Sequence, residues 1–283
     1  MRETDFGHPE EVKRMRKAAI FAVFCFCMTS LFALQGCTKQ ETPIPEPEKP
    51  AALLAADYFP ILENTKYVYE GEGMEFASFT VFTDYTSENK IQQRVDNTGT
   101  VMAQVITIAD GKATMTYSSG ESYYRENCLG KVNAEEVLLA EPIEEGTQWT
   151  LPDGRIRKIG GTAVAISTPA GNYETVEVIT ENEGSTDTRY YAKDVGLVKS
   201  VFLVDDYTIS STLSAIESDI SLIQTVRFYY PNVDSETIYY ADKEIIFRTN
   251  DVTADKLAAA YKEVPGGVGK VISENTVINS LSL

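Results

Sequence analysis

Side chains that could act as nucleophiles or as imidazole bases are scarce in this chain of 283 residues. The one histidine is His8, and the four cysteines are Cys25, Cys27, Cys37 and Cys128. Because no histidine follows residue 8, an imidazole base for a serine or cysteine nucleophile is excluded from the rest of the chain, and so is a histidine-ligated metal site. We expect Cys128 to be a small, half-buried side chain beside Tyr123 and Tyr124 rather than a nucleophile.

Carboxylates are abundant, with 42 Asp and Glu residues, but their spacing does not single out an acid–base pair. A glycosidase needs two carboxyl groups that face each other across a cleft. The candidates are adjacent pairs, which point to opposite faces of a strand or lie together in a solvated loop: Glu135 and Glu136, Glu144 and Glu145, Asp205 and Asp206. The sequence therefore predicts no catalytic residue, no metal site and no cofactor, and we expect the protein not to be an enzyme.

The formal net charge of −17 bears on the partners of the protein. Such a charge repels the phosphates of nucleic acids and anionic lipid headgroups, so nucleic acid is excluded as a partner. The acidic residues are spread along the chain, which favours a solvated surface over a disordered acidic tail.

An export signal precedes residue 37. Met15, Arg16 and Lys17 form a basic head, an apolar run follows over 18–34, and Gly36 stands directly before Cys37. The ending Leu-Gln-Gly-Cys resembles the lipobox of bacterial lipoproteins. The resemblance implies that residues 1–36 are removed and that Cys37 is lipidated, which would anchor the protein on the extracytoplasmic face of the cell membrane. A single transmembrane helix is the alternative, because a run of about 17 to 20 residues lies at the lower limit for spanning a bilayer.

Two further features concern the ends of this N-terminal region. Residues 1–14 precede the basic head of the signal, and we expect translation to start at Met15. Residues 37–56 are rich in proline and glutamate, which predicts an extended, semi-rigid tether.

Residues 57–217 have the pattern of an antiparallel β domain. Runs of β-branched and aromatic residues recur at spacings of roughly eight to twelve residues, which is typical of a sheet, a sandwich or an open barrel. Turns are predicted at 97–99, at Asp110-Gly111 and at 169–171, and a break at Gly160-Gly161. The one helix predicted in this region covers 132–139. The predicted strands are 67–69, 76–82, 91–95, 101–108, 113–117, 147–151, 156–159, 162–167, 173–180, 188–191, 197–204 and 207–213.

Three phrases of this region resemble an uncharacterised family of bacterial surface lipoproteins. They are 57–61 together with 67–69, 168–174, and 190–199. The chain departs from the family by Tyr67, where tryptophan is usual, and by Asp194, where glycine is usual. The resemblance transfers no catalytic residue.

The C-terminal residues 222–283 predict a separate small α+β module, of the order βββαβ. Strands are expected at 224–230, 238–240 and 244–247, then a helix capped by Thr253 and ended by Pro265, then a strand over 276–283. Through 226–231, 263–265 and 272–281 the region resembles the GerMN domain of sporulation and spore germination. That family continues further than Leu283, so we expect either a shortened copy or one whose tail was lost. The resemblance implies a non-catalytic role in contacts with other proteins of the cell envelope.

Two functions from different classes remain open, with a carboxylate-based hydrolase as the least favoured third. The first is a non-catalytic interaction or scaffold lipoprotein that contacts envelope or sporulation proteins. The second is a lipoprotein that holds a hydrophobic molecule or a glycan on its aromatic-rich sheet. Filled sheets with an open C-terminal edge would favour the first function, and a cavity of several hundred Å³ lined by tyrosines the second. Two opposed carboxyl groups in a cleft would favour the hydrolase.

Overall fold

The computed structural model describes residues 52–232, 235–266, 268, 272–273 and 275–277. The mainly β prediction is confirmed, since these residues form fourteen strands and one α helix, with short 3-10 turns at Ala55–Tyr58 and Glu75–Ala77. The elements are β1 (Lys66–Glu72), β2 (Phe79–Thr86), β3 (Lys90–Asp96), β4 (Val101–Ala109), β5 (Lys112–Ser119), β6 (Glu136–Ala140), β7 (Gln148–Thr150), β8 (Ile156–Thr168), β9 (Gly171–Asn182), β10 (Ser185–Ala192), β11 (Gly196–Val204), β12 (Tyr207–Glu217), β13 (Leu222–Asn232), β14 (Thr237–Phe247) and α1 (Thr253–Lys262).

Twelve strands form one antiparallel sheet in the order β6-β5-β4-β3-β2-β1-β12-β11-β10-β9-β8-β7. The sheet consists of two six-stranded meanders, and the long-range pair of β1 with β12 joins them. In that pair Lys66 lies opposite Glu217 and Glu72 opposite Ser210, with one bulge between Val68 and Tyr69. Within each meander, paired strands are consecutive in the chain, whereas the pair of β1 with β12 joins the beginning and the end of the sheet.

The two edges of this sheet meet through side chains, so that the sheet curls upon itself. Trp149 on β7 donates its indole N–H to the carbonyl of Val137 on β6, at 3.0 Å. Arg157 on β8, which is 1% exposed, donates to the same carbonyl at 2.8 Å and to Glu136 at 2.8 Å. We call this line of contact between β6 and the β7–β8 hairpin the seam. The open-barrel form of the prediction is the one that the structure adopts.

The turn predictions are confirmed, with one exception. Asp110 and Gly111 have φ values of +52° and +69° between β4 and β5, as a two-residue hairpin turn of this type requires. The predicted break at Gly160-Gly161 is wrong, because β8 continues through it with bulges on either side of Gly161. A side chain at Gly160 would collide with Glu177 and Ile179 of β9. Glycine here leaves room for the ends of these two side chains and does not form a turn.

The helix predicted over 132–139 is also wrong, because β6 begins at Glu136 and pairs with β5. Leu138, Leu139 and Ala140 are all buried, so this segment packs on two faces. A short apolar run of this kind does not reveal its type by periodicity, and here the pairing with β5 decides it.

The interior of the curled sheet holds most of the apolar core. One cluster includes Ile106, Leu139 and Val178, and a second includes Tyr69, Val198 and Leu213. The 3-10 turn before β1 packs against the first cluster through Tyr58. The chain segment that leads into the sheet is thus part of the core.

The C-terminal part consists of a long hairpin and the helix. β13 and β14 pair along their whole length, so the two predicted returning strands are one strand. Thr253 begins α1 but does not cap it: Val252 stands at the cap position, and the Thr253 hydroxyl lies 2.9 Å from the Tyr85 hydroxyl. The helix ends at Lys262, before Pro265, as expected. Of the strand predicted over 276–283, residues 276–277 are not in a strand and the rest lies outside the described residues.

A buried arginine fixes this C-terminal part to the sheet. Arg125, 1% exposed, pairs with Asp84 of β2 at 3.3 Å and donates to the Tyr85 hydroxyl at 2.9 Å. It also donates to the carbonyls of Arg248 and Asp251, which lie between β14 and α1. Residues 51–283 form one compact unit. The division predicted between 57–217 and 222–283 falls in the connection from β12 to β13.

Candidate functional site

A partly open cavity of about 310 Å³ lies inside the curl of the twelve-stranded sheet. Its size is at the lower end of the range of small-molecule sites. Strands from both meanders contribute to its wall, and so do the segment before β1 and the edge strand β6. The lining is Phe59, Pro60, Tyr67, Tyr69, Phe79, Val81, Ile91, Gln93, Val95, Gln104, Ile106, Leu138, Asp187, Arg189, Tyr191, Val195, Gly196, Leu197 and Ser200.

Aromatic rings form much of the apolar wall. The rings of Tyr69 and Phe79 are stacked at 4.4 Å between centroids, and those of Phe59 and Tyr191 lie 5.0 Å apart. The Tyr69 hydroxyl donates to the carbonyl of Leu197 at 2.8 Å, which satisfies its polar atom. Burial raises the pKa of Tyr67 to about 12. The Tyr67 phenol is therefore neutral at physiological pH, and the wall presents ring surface.

Polar side chains interrupt this wall at one place in each meander. Gln93 of β3 lies directly opposite Gln104 of β4. Arg189 of β10 lies opposite Ser200 of β11, and its Nε is 3.0 Å from an Asp187 carboxylate oxygen. All five line the same cavity. We call Gln93, Gln104, Asp187, Arg189 and Ser200 the polar group of the cavity.

Arg189 keeps its charge inside the fold. Burial acts to lower the pKa of its guanidinium, but the neighbouring Tyr191 and Asp187 outweigh this effect and the pKa is raised. The side chain retains 33% of its accessible surface. Arg189 is also among the residues that line the cavity.

The described lining of this cavity does not provide an acid–base pair of carboxylates. Asp187 is the single carboxylate among the described lining residues, so the two opposed carboxyl groups of a glycosidase are not assembled there. Within the part of the chain that the structure describes, no cluster of three or more His, Cys, Asp or Glu residues could hold a metal ion.

The cysteine and the carboxylate pairs considered from the sequence do not line the cavity where the structure describes them. Cys37 lies outside the described residues. Cys128 is buried, and burial raises the pKa of its thiol, partly offset by Lys131. Its backbone N–H donates to Gln92, so its environment is structural. The polar neighbours of its sulfur are Lys131 and Tyr117, whereas the predicted neighbours Tyr123 and Tyr124 are more than half exposed.

The adjacent carboxylates behave as surface charges, with one exception. Glu144, Glu145, Asp205 and Asp206 are exposed, as is Glu135. Glu136 differs because it accepts from Arg157 at the seam. Its role is therefore to join the sheet edges.

The two departures from the lipoprotein-family pattern have clear places in the fold. Tyr67 lines the cavity, where a tryptophan would present a larger ring. Asp194 has a φ of +60°, a backbone region that glycine enters without strain and that aspartate tolerates better than most residues. The usual glycine at 194 is thus explained by the turn between β10 and β11.

The polar group was not predicted, although β10 contains a signal for it. In a strand, residues two apart share a face. Asp187, Arg189 and Tyr191 therefore lie on one face, and the buried Tyr191 marks that face as the inner one. Two charged residues on an inward face are unusual in a core, and this pattern could have indicated a site.

A second surface of interest is the face of the β13–β14 hairpin that points away from α1. Ile223 pairs with Ile246 and Tyr229 with Tyr240 on this face. These four residues and Ile238 are each more than half exposed. An ion pair of Arg227 with Asp242, at 2.7 Å, lies between them. Among the described residues no further strand pairs with either edge of this hairpin. We call it the hairpin face.

Comparisons with known proteins give few matches. No protein-family model matches the chain, so the GerMN resemblance has no support from that comparison. No curated protein matches either. Among solved structures, a proposed exported protein with a YmcC-like fold from Bacteroides fragilis is 14% identical, with a TM-score of 0.37 over 59% of this chain and 100% of its own. A proposed lipoprotein from Parabacteroides distasonis is 13% identical, with a TM-score of 0.36 over 56% of this chain and 98% of its own. These values do not carry a function across. No helix of the described residues is long and apolar enough to cross a membrane.

Proposed function

We propose that the protein is a membrane-anchored, extracytoplasmic lipoprotein that acts by binding rather than by catalysis, and that its curled sheet holds a small hydrophobic or amphipathic molecule. The observation that supports this function is the cavity of about 310 Å³ lined by Tyr67, Tyr69 and Tyr191. The sequence alone favoured an interaction scaffold. A tyrosine-lined cavity is the feature that shifts the balance to the ligand-binding alternative.

Binding can be tested with a fluorescent apolar probe, N-phenylnaphthylamine, and residues 37–283 with Cys37→Ser. This protein keeps the whole compact unit 51–283. We expect saturable binding that Val95→Phe reduces at least about tenfold, because the new ring fills space in the cavity. Val201→Phe is the matched control, since Val201 follows Ser200 on β11 and does not line the cavity. Equal loss in both variants, or no saturable binding by the parent protein, would contradict the proposal.

The anchor is tested at Cys37. We expect the chain expressed in bacteria to incorporate a labelled fatty acid and to fractionate with membranes, and Cys37→Ser to abolish the label. Two acyl chains give a durable attachment, whereas a single chain is marginal. Membrane association of Cys37→Ser without any label would favour the transmembrane alternative.

The hairpin face favours a second function, the interaction role. Exposed apolar residues gathered on one face mark a contact site more often than isolated ones do, and here they flank the ion pair of Arg227 with Asp242. Sporulation or germination is the setting that the GerMN resemblance would imply for such contacts. We expect chemical cross-links to envelope proteins to be lost in Ile238→Lys and retained in Val132→Lys, a control at another exposed residue. Cross-links to housekeeping proteins alone would count against this role.

A further inference from the structure

The polar group of the cavity has hydrogen-bonding capacity that the protein does not use. Neither side-chain amide of Gln93 and Gln104 has a hydrogen-bond partner among the described residues. The adjacent Gln92 shows the contrast: its amide nitrogen donates to the carbonyl of Glu126 at 2.8 Å and its oxygen accepts from Cys128 at 2.7 Å. Gln92 thus serves the fold, whereas Gln93 and Gln104 offer donors and acceptors to the cavity.

The two charged members of the polar group, Asp187 and Arg189, have opposite charges, so the group has no net charge. Asp187 and Arg189 pair at 3.0 Å, so an anionic group that approached Arg189 would also approach the Asp187 carboxylate. A cationic group at Asp187 would meet the guanidinium in the same way. Repulsion between like charges is strong where little water screens it. A neutral group avoids both penalties and still finds donors on Arg189, acceptors on Asp187, and both on the two amides.

We propose that the polar group is the head-group site of the cavity, and that it selects an amphipathic ligand whose head is uncharged and both donates and accepts hydrogen bonds. Hydroxyl and amide heads have this character. The apolar or ring part of the ligand contacts Tyr67, Tyr69 and Phe79 on the aromatic wall. This inference rests on the proposed binding function.

Three competitors with the same decyl-type chain and different heads test the selection. They are monodecanoylglycerol, decanoate and decyltrimethylammonium, each used below its micelle concentration to displace N-phenylnaphthylamine from residues 37–283 with Cys37→Ser. We expect monodecanoylglycerol to bind at least about tenfold more tightly than either charged competitor, because only its head meets no like charge.

Two substitutions distinguish head-group recognition from simple burial of the chain. Gln104→Leu is expected to weaken monodecanoylglycerol about tenfold, since a polar head is left without its partner. The same change should leave the affinity for the apolar probe within about twofold. Asp187→Asn is expected to strengthen decanoate about tenfold, because it removes the opposing carboxylate while keeping the shape. Asp205→Asn, in the exposed turn between β11 and β12, is the matched control and should change neither value.

The outcomes separate the two proposals. Probe binding with equal affinity for all three competitors, or a preference for decanoate in the parent protein, would overturn the head-group inference and leave the binding function standing. An Asp187→Asn variant that binds decanoate no better than its parent would also overturn it. Failure of the probe and of all three competitors to bind would overturn the binding function, and this inference with it.

Discussion

At the scale of single residues, Arg125 shows how a charged side chain can stabilise the joint between two parts of a chain. Its side chain is completely buried with that of Asp84, and its guanidinium lies 4.0 Å from the centre of the Tyr85 ring. Arg94 pairs with the same carboxylate at 3.0 Å. Each charge is therefore paired, which is the condition under which buried charges are tolerated.

We expect Arg125→Met to lower the free energy of unfolding by about 3–5 kcal/mol, because it leaves Asp84 with Arg94 as its one charged partner and removes a donor from the carbonyls of Arg248 and Asp251. Urea unfolding of the purified protein measures this change. Arg155→Met is the control, because Arg155 pairs with Asp153 on an exposed turn and surface pairs contribute about 0–1 kcal/mol. Similar losses in both variants would contradict this account of the joint.

At the scale of elements, much of the fold could be predicted because hairpins carry their information locally. The strands from β1 to β5 and from β9 to β12 follow from alternating β-branched and aromatic residues, and turns such as Asp110-Gly111 follow from residues that tolerate positive φ. β6 could not be predicted, because its five residues are too few to show a hydrophobic periodicity. Their strand conformation depends on pairing with β5, which is distant information that the segment itself does not contain. The continuity of β8 through its two glycines could not be predicted either, because it depends on the pairing of β8 with β9 on both sides of them.

The seam gives a prediction about β6. Arg157→Met removes one of the two donors to the Val137 carbonyl, the other being Trp149, and the donor to Glu136. We therefore expect the β6 amides to lose protection against hydrogen exchange while those of β1 and β2 keep theirs. Hydrogen exchange followed by mass spectrometry measures both regions in one experiment.

The fluorescence of Trp149, the chain's single tryptophan, should also shift towards longer wavelengths as its indole becomes wetter. Lys158→Met is the control, because Lys158 pairs with Glu181 on the exposed side of β8. Unchanged β6 protection in Arg157→Met would mean that the contacts of Arg157 do not hold the sheet edges together.

At the scale of the whole molecule, the cavity forms because the twelve-stranded sheet curls upon itself. The sequence did not predict which residues this curling brings together. Gln93 and Arg189 are 96 positions apart in the numbering and come to one cavity only because β1 pairs with β12 and the sheet curls. The many aromatic residues in the sequence indicated an aromatic sheet face, and a cavity lined by tyrosines was the structure expected for the ligand-binding alternative. The charged and amide residues inside it required the register of both meanders.

Buried tyrosines should make the stability of the whole molecule fall at alkaline pH. Burial raises the pKa of Tyr67 to about 12, and burial and a hydrogen bond to Glu177 raise that of Tyr190 to about 12. In the unfolded chain a tyrosine titrates near roughly 10. The folded state therefore binds these protons more tightly, so this contribution to stability is complete below a pH of about 10 and is lost as the pH rises through about 12.

Urea unfolding at a series of alkaline pH values measures this loss, and the ultraviolet absorbance of tyrosinate follows the titration itself. We expect Tyr67 and Tyr190 to release their protons only as the protein unfolds. Titration of every tyrosine near its ordinary pKa, with the circular dichroism of the native state intact, would contradict the burial of these rings.

The seam also bears on how fast a guest molecule could enter and leave. Every other junction between neighbours in the twelve-stranded sheet is a backbone ladder, whereas β6 meets β7 and β8 through three side-chain hydrogen bonds. Leu138 of β6 is part of the cavity wall, so a separation of these edges would expose the interior. Weakening the seam should therefore raise the association rate and the dissociation rate of the molecule by the same factor and leave its equilibrium affinity unchanged.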